Sequence, residues 1–271
     1  MNTGLIFLLR SILRNRELIT QMTIREIAIR HKNSVLGVLW MLGQPLLQLM
    51  LYSFVFQIVL RARWGDVLPN GTEIPFGLTL YAGLVLHGIL ADTLVRSPSL
   101  ILSNPSYVKK VIFPLETLCI VSVMSALVGG AMGLVILFMA TAYLSDGLPL
   151  SIFLIPLPII SLTLMSLGCG WILAALGVFL RDLGQITPVL ASVLLFTAPI
   201  CYPLEAVPEQ YHFLMAFNPL TIPVEALRAL LFDGTYTHWN SLAIYGLLSV
   251  MITIVGYMTF HRLRAGFADA I

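Results

Sequence analysis

Six stretches of the chain run for about twenty residues or more almost without charge: 35–60, 76–95, 118–144, 151–180, 184–202 and 239–260. A bilayer's hydrocarbon core of roughly 30 Å takes about 20 helical residues, so each stretch is long enough to cross it. The apolar residues are continuous rather than alternating, which predicts helices and not the strands of a barrel. Six spans leave both chain ends on one side, and the basic residues choose that side. With the ends inside, 12 Lys and Arg lie in inner segments and 3 in outer ones, while the acidic residues divide five inside and seven outside.

Three segments are neither spans nor plain loops. Near the start, Leu5, Leu8, Leu9 and Ile12 share a helical face opposite Arg10 and Arg14; over 17–33, Arg25 falls on the same face as Leu18, Met22 and Ile29. Both patterns predict a cationic helix lying along the inner surface, with Arg25, Arg30 and Lys32 among its charges. In the inner loop 96–116, Asn104 reads as an N-cap and Pro105 as a first-turn proline, predicting a short helix to about Ile112 that carries Lys109 and Lys110. The outer segment 203–237 is punctuated by Pro203, Pro208, Pro219 and Pro223. Its apolar stretches at 211–217 and 224–232 are too short to span; the second sets Val224, Leu227 and Leu231 on one face and stops at Asp233-Gly234. Two helices that dip into the outer leaflet and return are expected.

Composition agrees with a lipid environment. Of 271 residues 58% are apolar and 10% charged, with mean hydropathy +0.94, against roughly 45–50% and 25% in soluble proteins. An ordinary soluble enzyme is excluded, and a net charge of +2 is too small to suggest a nucleic-acid partner. Cys119, Cys169 and Cys201 lie in apolar surroundings without CxxC spacing and read as small hydrophobes. The first sixteen residues make a poor signal peptide, because only five apolar residues precede Arg10 and no small-residue cleavage site follows.

Catalytic motifs are missing. The only lysines are Lys32, Lys109 and Lys110, none preceded by Gly, so there is no P-loop; HExxH and GxSxG are also absent, and the five histidines are scattered. No catalytic residue, metal site or resident cofactor is expected. Asp92 is the lone ionisable group of its kind inside a predicted span and is expected to pair with Arg96 four residues on. Arg181-Asp182 reads as a membrane-edge turn and Glu225 with Arg228 as a local pair. Along the first span Gln44, Gln48, Tyr52 and, less well, Phe56 recur at four-residue spacing beside Trp40, Phe54 and Gln57; Phe196 and Tyr202 stand in the fifth. Such amides serve either as interhelical glue or as the lining of a pathway for a polar, uncharged polymer, whose sugar rings would lie on aromatic faces.

Three stretches resemble one family. Arg30-His31-Lys32-Asn33-Ser34-Val35-Leu36-Gly37-Val38-Leu39-Trp40, continuing to Pro45, looks like the approach to the first span of polysaccharide-exporting ABC permeases of the type-2 exporter class. Asn104-Pro105 through Val108-Lys109-Lys110, with Phe113-Pro114-Leu115-Glu116, is similar to that family's inner loop. Arg181-Asp182, Ala198-Pro199-Ile200-Cys201-Tyr202-Pro203, Val207-Pro208, Asn218-Pro219-Leu220 and Glu225 to Arg228 resemble its fifth span and outer hairpin, and Phe267-Ala268-Asp269 its tail. Departures fall at His31, often Tyr; Gln44, often Asn; and Cys201, often larger.

The resemblance implies an all-α integral membrane protein with one transmembrane domain over 1–271: a cytoplasmic start and interface helix (1–34), a six-span bundle (35–260) and a cytoplasmic tail (261–271). It implies a homodimer working with two separate ATP-binding subunits that hold ATP and Mg. Asn104, Pro105, Tyr107, Lys109 and Lys110 would form the coupling helix, with the interface helix touching the same subunit. Trp40, Gln44, Gln48, Tyr52, Phe56, Phe196 and Tyr202 would line a channel between the two permeases, and Pro208, Tyr211, Phe213, Asn218, Pro219, Glu225 and Arg228 would belong to an outer gate. The cargo implied is a lipid-linked glycan crossing a bacterial cytoplasmic membrane, most like O-antigen, with capsule and teichoic acid as near neighbours. Two rival readings have different requirements: an ion-coupled carrier would need Asp92 as its essential acid, and an intramembrane transferase would need clustered acids or histidines.

Overall fold

A computed structural model describes residues 13–31, 37–59, 73–108, 113–144, 147–203 and 207–270. Its helices are α1 (Arg16–His31), α2 (Trp40–Tyr52, running on as a π-helical segment Ser53–Val59), α3 (Phe76–Arg96), α4 (Pro105–Val108), α5 (Glu116–Leu144) and α6 (Pro156–Gly177). They continue with α7 (Leu183–Thr197), α8 (His212–Phe217), α9 (Thr221–Arg228, widening into Ala229–Asp233), α10 (Trp239–Leu263) and α11 (Phe267–Ala270). The described residues contain no β-strand.

Among the described residues, four helical stretches are long and apolar enough to cross a bilayer: Phe76–Ser99, Glu116–Leu144, Leu150–Gly177 and Trp239–Ala270. They match four of the six expected spans. The other two, expected over 35–60 and 184–202, occur as shorter apolar helices, Trp40–Phe56 and Leu183–Thr197. The 15 residues of α7 rise only about 22 Å at 1.5 Å each. The cause of that shortening is local. Ala198 precedes Pro199, whose ring disfavours the helical conformation of the residue before it, and Ala198 is extended at φ −90°, ψ 153°. Residues 198–202, expected to be the end of a span, therefore leave the helix.

A bent pair of short apolar helices stands where the outer hairpin was expected. Glu209–Phe217 and Thr221–Asp233 meet at 94°, with Asn218 extended ahead of Pro219. The second arm ends where the sequence places the stop, at Gly234, whose φ of +73° is the left-handed conformation a glycine adopts freely.

Helix packing rests on small residues. α6 and α10 run together, and a Cβ added to Gly256 would fall inside the contact distance of the Gly168 carbonyl. Thr253 Oγ1 donates to Leu164 O at 2.7 Å across the same seam. Trp171, fully buried, donates Nε1–H to Glu116 O at 3.1 Å and meets Tyr257 edge-on at 5.3 Å. Two apolar cores result. One joins α3 and α5 to the outer hairpin; the other joins α1, α5, α6 and α10.

In α1, Ile19 and Thr23 are buried against the bundle, while Arg25 and Ile29 lie on its exposed side. α1 packs on α5, and Glu26 turns inward to Arg96 of α3. The expected helix face at 5–12 lies outside the described residues.

Candidate functional site: a basic end and a polar cavity

At the end of the bundle where α1 crosses α3, four charges interlock. Asp92, expected to pair with Arg96, does so at 3.2 Å. It also accepts from Arg30 of α1 at 2.9 Å. Arg30 meets Glu26 at 3.3 Å, and Glu26 also meets Arg96. Two acids and two arginines, each one-fifth to one-third exposed, thus lock α1 to α3 as a neutral unit. Burial pushes the Glu26 carboxyl above its ordinary range, and Arg30 pulls it back. The bridge between helices was not foreseen, although the four-residue spacing of Glu26 and Arg30 repeats that of Asp92 and Arg96 and signals two matching faces.

Beside this lock lies a cavity of about 330 Å³ bordered by Arg25, Arg30, Asn104 and Tyr107. The expected interface and coupling residues are therefore neighbours. Pro105 opens α4 as expected. Asn104 acts differently from an N-cap acceptor: its amide donates backwards, to Leu100 O at 2.9 Å and Ser103 Oγ at 3.2 Å, tying the turn before α4. Tyr107 stacks on Phe113 with ring centres 4.4 Å apart. Glu116, at the start of α5, receives Arg264 from the end of α10 at 3.2 Å, and Arg264 also donates to Phe113 O at 3.0 Å. This second clasp was not read from the sequence, since its members lie 148 residues apart. Lys32, Lys109 and Lys110 fall outside the described residues.

The polar residues of α2 are exposed and stand at the edge of a groove shared with α3 and α5. Trp40, Gln44 and Gln48 border a second cavity, of about 410 Å³, whose far walls include Tyr81 and Ser125. Leu46, Leu47, Met50 and Leu51 face outward. Tyr52 and Phe56 pack against the core instead of the cavity, with Phe56 5.3 Å from Phe76. On α7, Phe196 is 63% exposed, and the Tyr202 hydroxyl donates to its carbonyl. The seven channel candidates thus divide into a cavity group, a packing pair and an outward pair.

In the outer hairpin Asn218 is a pin. Its amide donates to Leu194 O and Thr197 Oγ1, both at 2.8 Å, and its Oδ1 accepts from Leu220 N at 2.9 Å. Arg228, expected beside Glu225, is buried with its guanidinium on three backbone carbonyls: Nε to Thr79 O at 3.0 Å, Nη1 to Pro199 O at 2.5 Å and Nη2 to Ile200 O at 3.0 Å. Pro208 caps the turn Glu209–Tyr211 that leads into α8, on which Phe213 is exposed like Tyr211. Pro219 sits in the bend. No group of His, Cys, Asp and Glu among the described residues is arranged to hold a metal.

Comparison with known proteins gives this geometry its setting. The chain is 26% identical over 257 residues to "O-antigen export system permease protein RfbA" of Klebsiella pneumoniae, covering 94% of this chain and 95% of that protein. A protein of the same description from Myxococcus xanthus is 24% identical over 269 residues, covering 98% and 100%. "Polysialic acid transport protein KpsM" of Escherichia coli is 26% identical over 244 residues, covering 87% and 90%. The profile of the ABC-2 type transporter family matches residues 17–232, well over half of the chain, and the chain therefore belongs to the ABC-2 type transporters.

Proposed function

We propose that this chain is the membrane-spanning permease of an ATP-driven exporter that carries a lipid-linked, O-antigen-like polysaccharide across a bacterial cytoplasmic membrane. The relatives named for O-antigen export align along nearly the whole chain, and the shared cavity of α1 and the Asn104 turn supplies a surface for a motor subunit. That juxtaposition is the observation that carries the reading. Two copies of the permease would work with two ATP-binding subunits holding ATP and Mg, with chain ends in the cytoplasm, a placement the distribution of basic residues supports.

In this reading α2 and α7 complete a bundle of six spans, and their outward apolar faces meet lipid or the second copy. The outer hairpin would gate the exit. Export of a capsular polysaccharide is the nearest alternative cargo, supported by the likeness to the polysialic acid transport protein. An ion-coupled carrier has less support, because Asp92 is held by two arginines.

The deciding experiment purifies the chain from its host with bound partners and reconstitutes the assembly in vesicles. ATP-dependent delivery of the glycan, with an ATP-binding subunit in the complex, is the expected result. Translocation by this chain alone, driven by an ion gradient, refutes the proposal.

A further inference from the structure

The chain joins the inner loop to α10 only by way of α5, α6, α7 and the outer hairpin. A push on the loop around α4 therefore enters the inner end of α10 across noncovalent contacts. One such contact is directional. Tyr107 of α4 stacks on Phe113 with ring centres 4.4 Å apart and planes 15° apart. Phe113 O accepts from Arg264 Nη2 at 3.0 Å, and Arg264 Nη1 reaches Glu116 Oε2 at 3.2 Å. Two donors of one planar fork on two separate acceptors fix the orientation of a contact as well as its length, which apolar surfaces that slide past one another do not.

Both sides of the fork are anchored. Glu116 is 5% exposed, and Trp171 Nε1 holds its carbonyl. Arg264 follows the last turn of α10 and precedes Phe267, which is fully buried and meets Phe260 at 5.4 Å and Phe179 at 6.1 Å. The main chain at Arg264 is thus held by a helix on one side and a core aromatic on the other, so a displacement at Phe113 moves α10 instead of swinging a loose side chain. From there the close approach of Gly256 to Gly168 and the bond from Thr253 to Leu164 O carry α6 along. α10 also touches α9 of the outer hairpin.

We propose that Arg264 is a positioning residue that carries the stroke of the motor from the inner loop into α10, so that α6, α10 and the outer hairpin follow α4. The inference rests on the chain being the permease of an ATP-driven exporter, which supplies the stroke.

The test uses the complex of permease and ATP-binding subunits in lipid nanodiscs. Cys119, Cys169 and Cys201 are replaced by Ala, and Thr237→Cys, at the exposed approach to α10, carries an environment-sensitive dye. The complex that retains Arg264 is expected to change its dye emission on addition of ATP and Mg. Arg264→Met is expected to cut that change, and the surface glycan of cells, about three- to tenfold, with the ATP-binding subunits still attached. Because the Arg264 side chain is 32% exposed, its melting temperature is expected to fall by no more than about 3 °C. Arg264→Lys keeps the charge without the fork and is expected to recover about half of the dye change. A residue that only steadied the fold would lower yield and melting temperature and leave the surviving complex with its full dye change. Should Arg264→Met fail to fold, Glu116→Gln, which spares the bond to Phe113 O, is read in the same way, with a loss of about two- to threefold expected.

A full dye change and normal surface glycan in Arg264→Met, or in Glu116→Gln where that variant stands in for it, overturn the inference. So does a dye at residue 237 that ignores ATP while Arg264 is present. Failure of the exporter reading looks different: no ATP-binding subunit then accompanies the chain through purification.

Discussion

Replacing Arg228 by Met deletes three charge-assisted hydrogen bonds while keeping most of the apolar stem. The guanidinium joins the outer hairpin to Thr79 O in the first turn of α3 and to Pro199 O and Ile200 O beyond α7. Hydrogen bonds to a charged group contribute about 1.5–3 kcal/mol each, so three amount to about 5–9 kcal/mol. Releasing the guanidinium from a 9% exposed site returns several kcal/mol of desolvation. The net loss is about 2–4 kcal/mol, equivalent to a fall of about 5–10 °C in melting temperature for a chain of this size. Lys at the same position presents one ammonium in place of a planar fork and is expected to recover less than half of that loss. The assay is thermal unfolding of purified permease complex in nanodiscs, scanned at two rates to expose irreversibility. A Met variant that melts within about 1 °C of wild type refutes the claim that this side chain holds the hairpin to the bundle.

Gly256→Val drives a branched side chain into the Gly168 carbonyl and is expected to abolish folded permease, as read by size-exclusion profile; normal yield refutes the tight α6–α10 seam. Asp92→Asn is expected to retain more than about half of export, with a double-mutant cycle against Arg30→Met giving a coupling of about 1 kcal/mol that shrinks in salt. Complete loss of transport at normal expression assigns Asp92 to proton coupling instead. Lys109→Glu/Lys110→Glu is expected to lower substrate-stimulated ATP hydrolysis of the complex several-fold with membrane insertion intact, and unchanged coupling removes these lysines from the contact with the motor.

The long spans were legible because α3, α5, α6 and α10 are each apolar and nearly free of charge over about the thickness of a bilayer, a property that needs no knowledge of neighbours. The hairpin was legible for a different reason: Pro219 and Asp233-Gly234 act on the backbone locally. What escaped depends on partners distant in sequence. Arg228 read as half of an i,i+3 pair, and its three backbone-carbonyl acceptors went unseen because every residue carries such a group and no sequence marks it. The inward turn of Glu26 was not legible because, taken alone, it belongs on a wet face; only Arg96 draws it in. Among the channel candidates, spacing placed Gln44 and Gln48 on one face but did not say which way that face turns.

The glycine seam between α6 and α10 bears on biosynthesis. α10 leaves the ribosome well after α6, so during insertion the shallow groove at Gly168 waits in the bilayer with its carbonyls covered only by lipid, until the last long helix arrives to seat Gly256 and Thr253 there. A ribosome that stalls before residue 256 therefore releases a protein with an open flank, which gives membrane proteases a physical mark by which to tell an unfinished permease from a finished one.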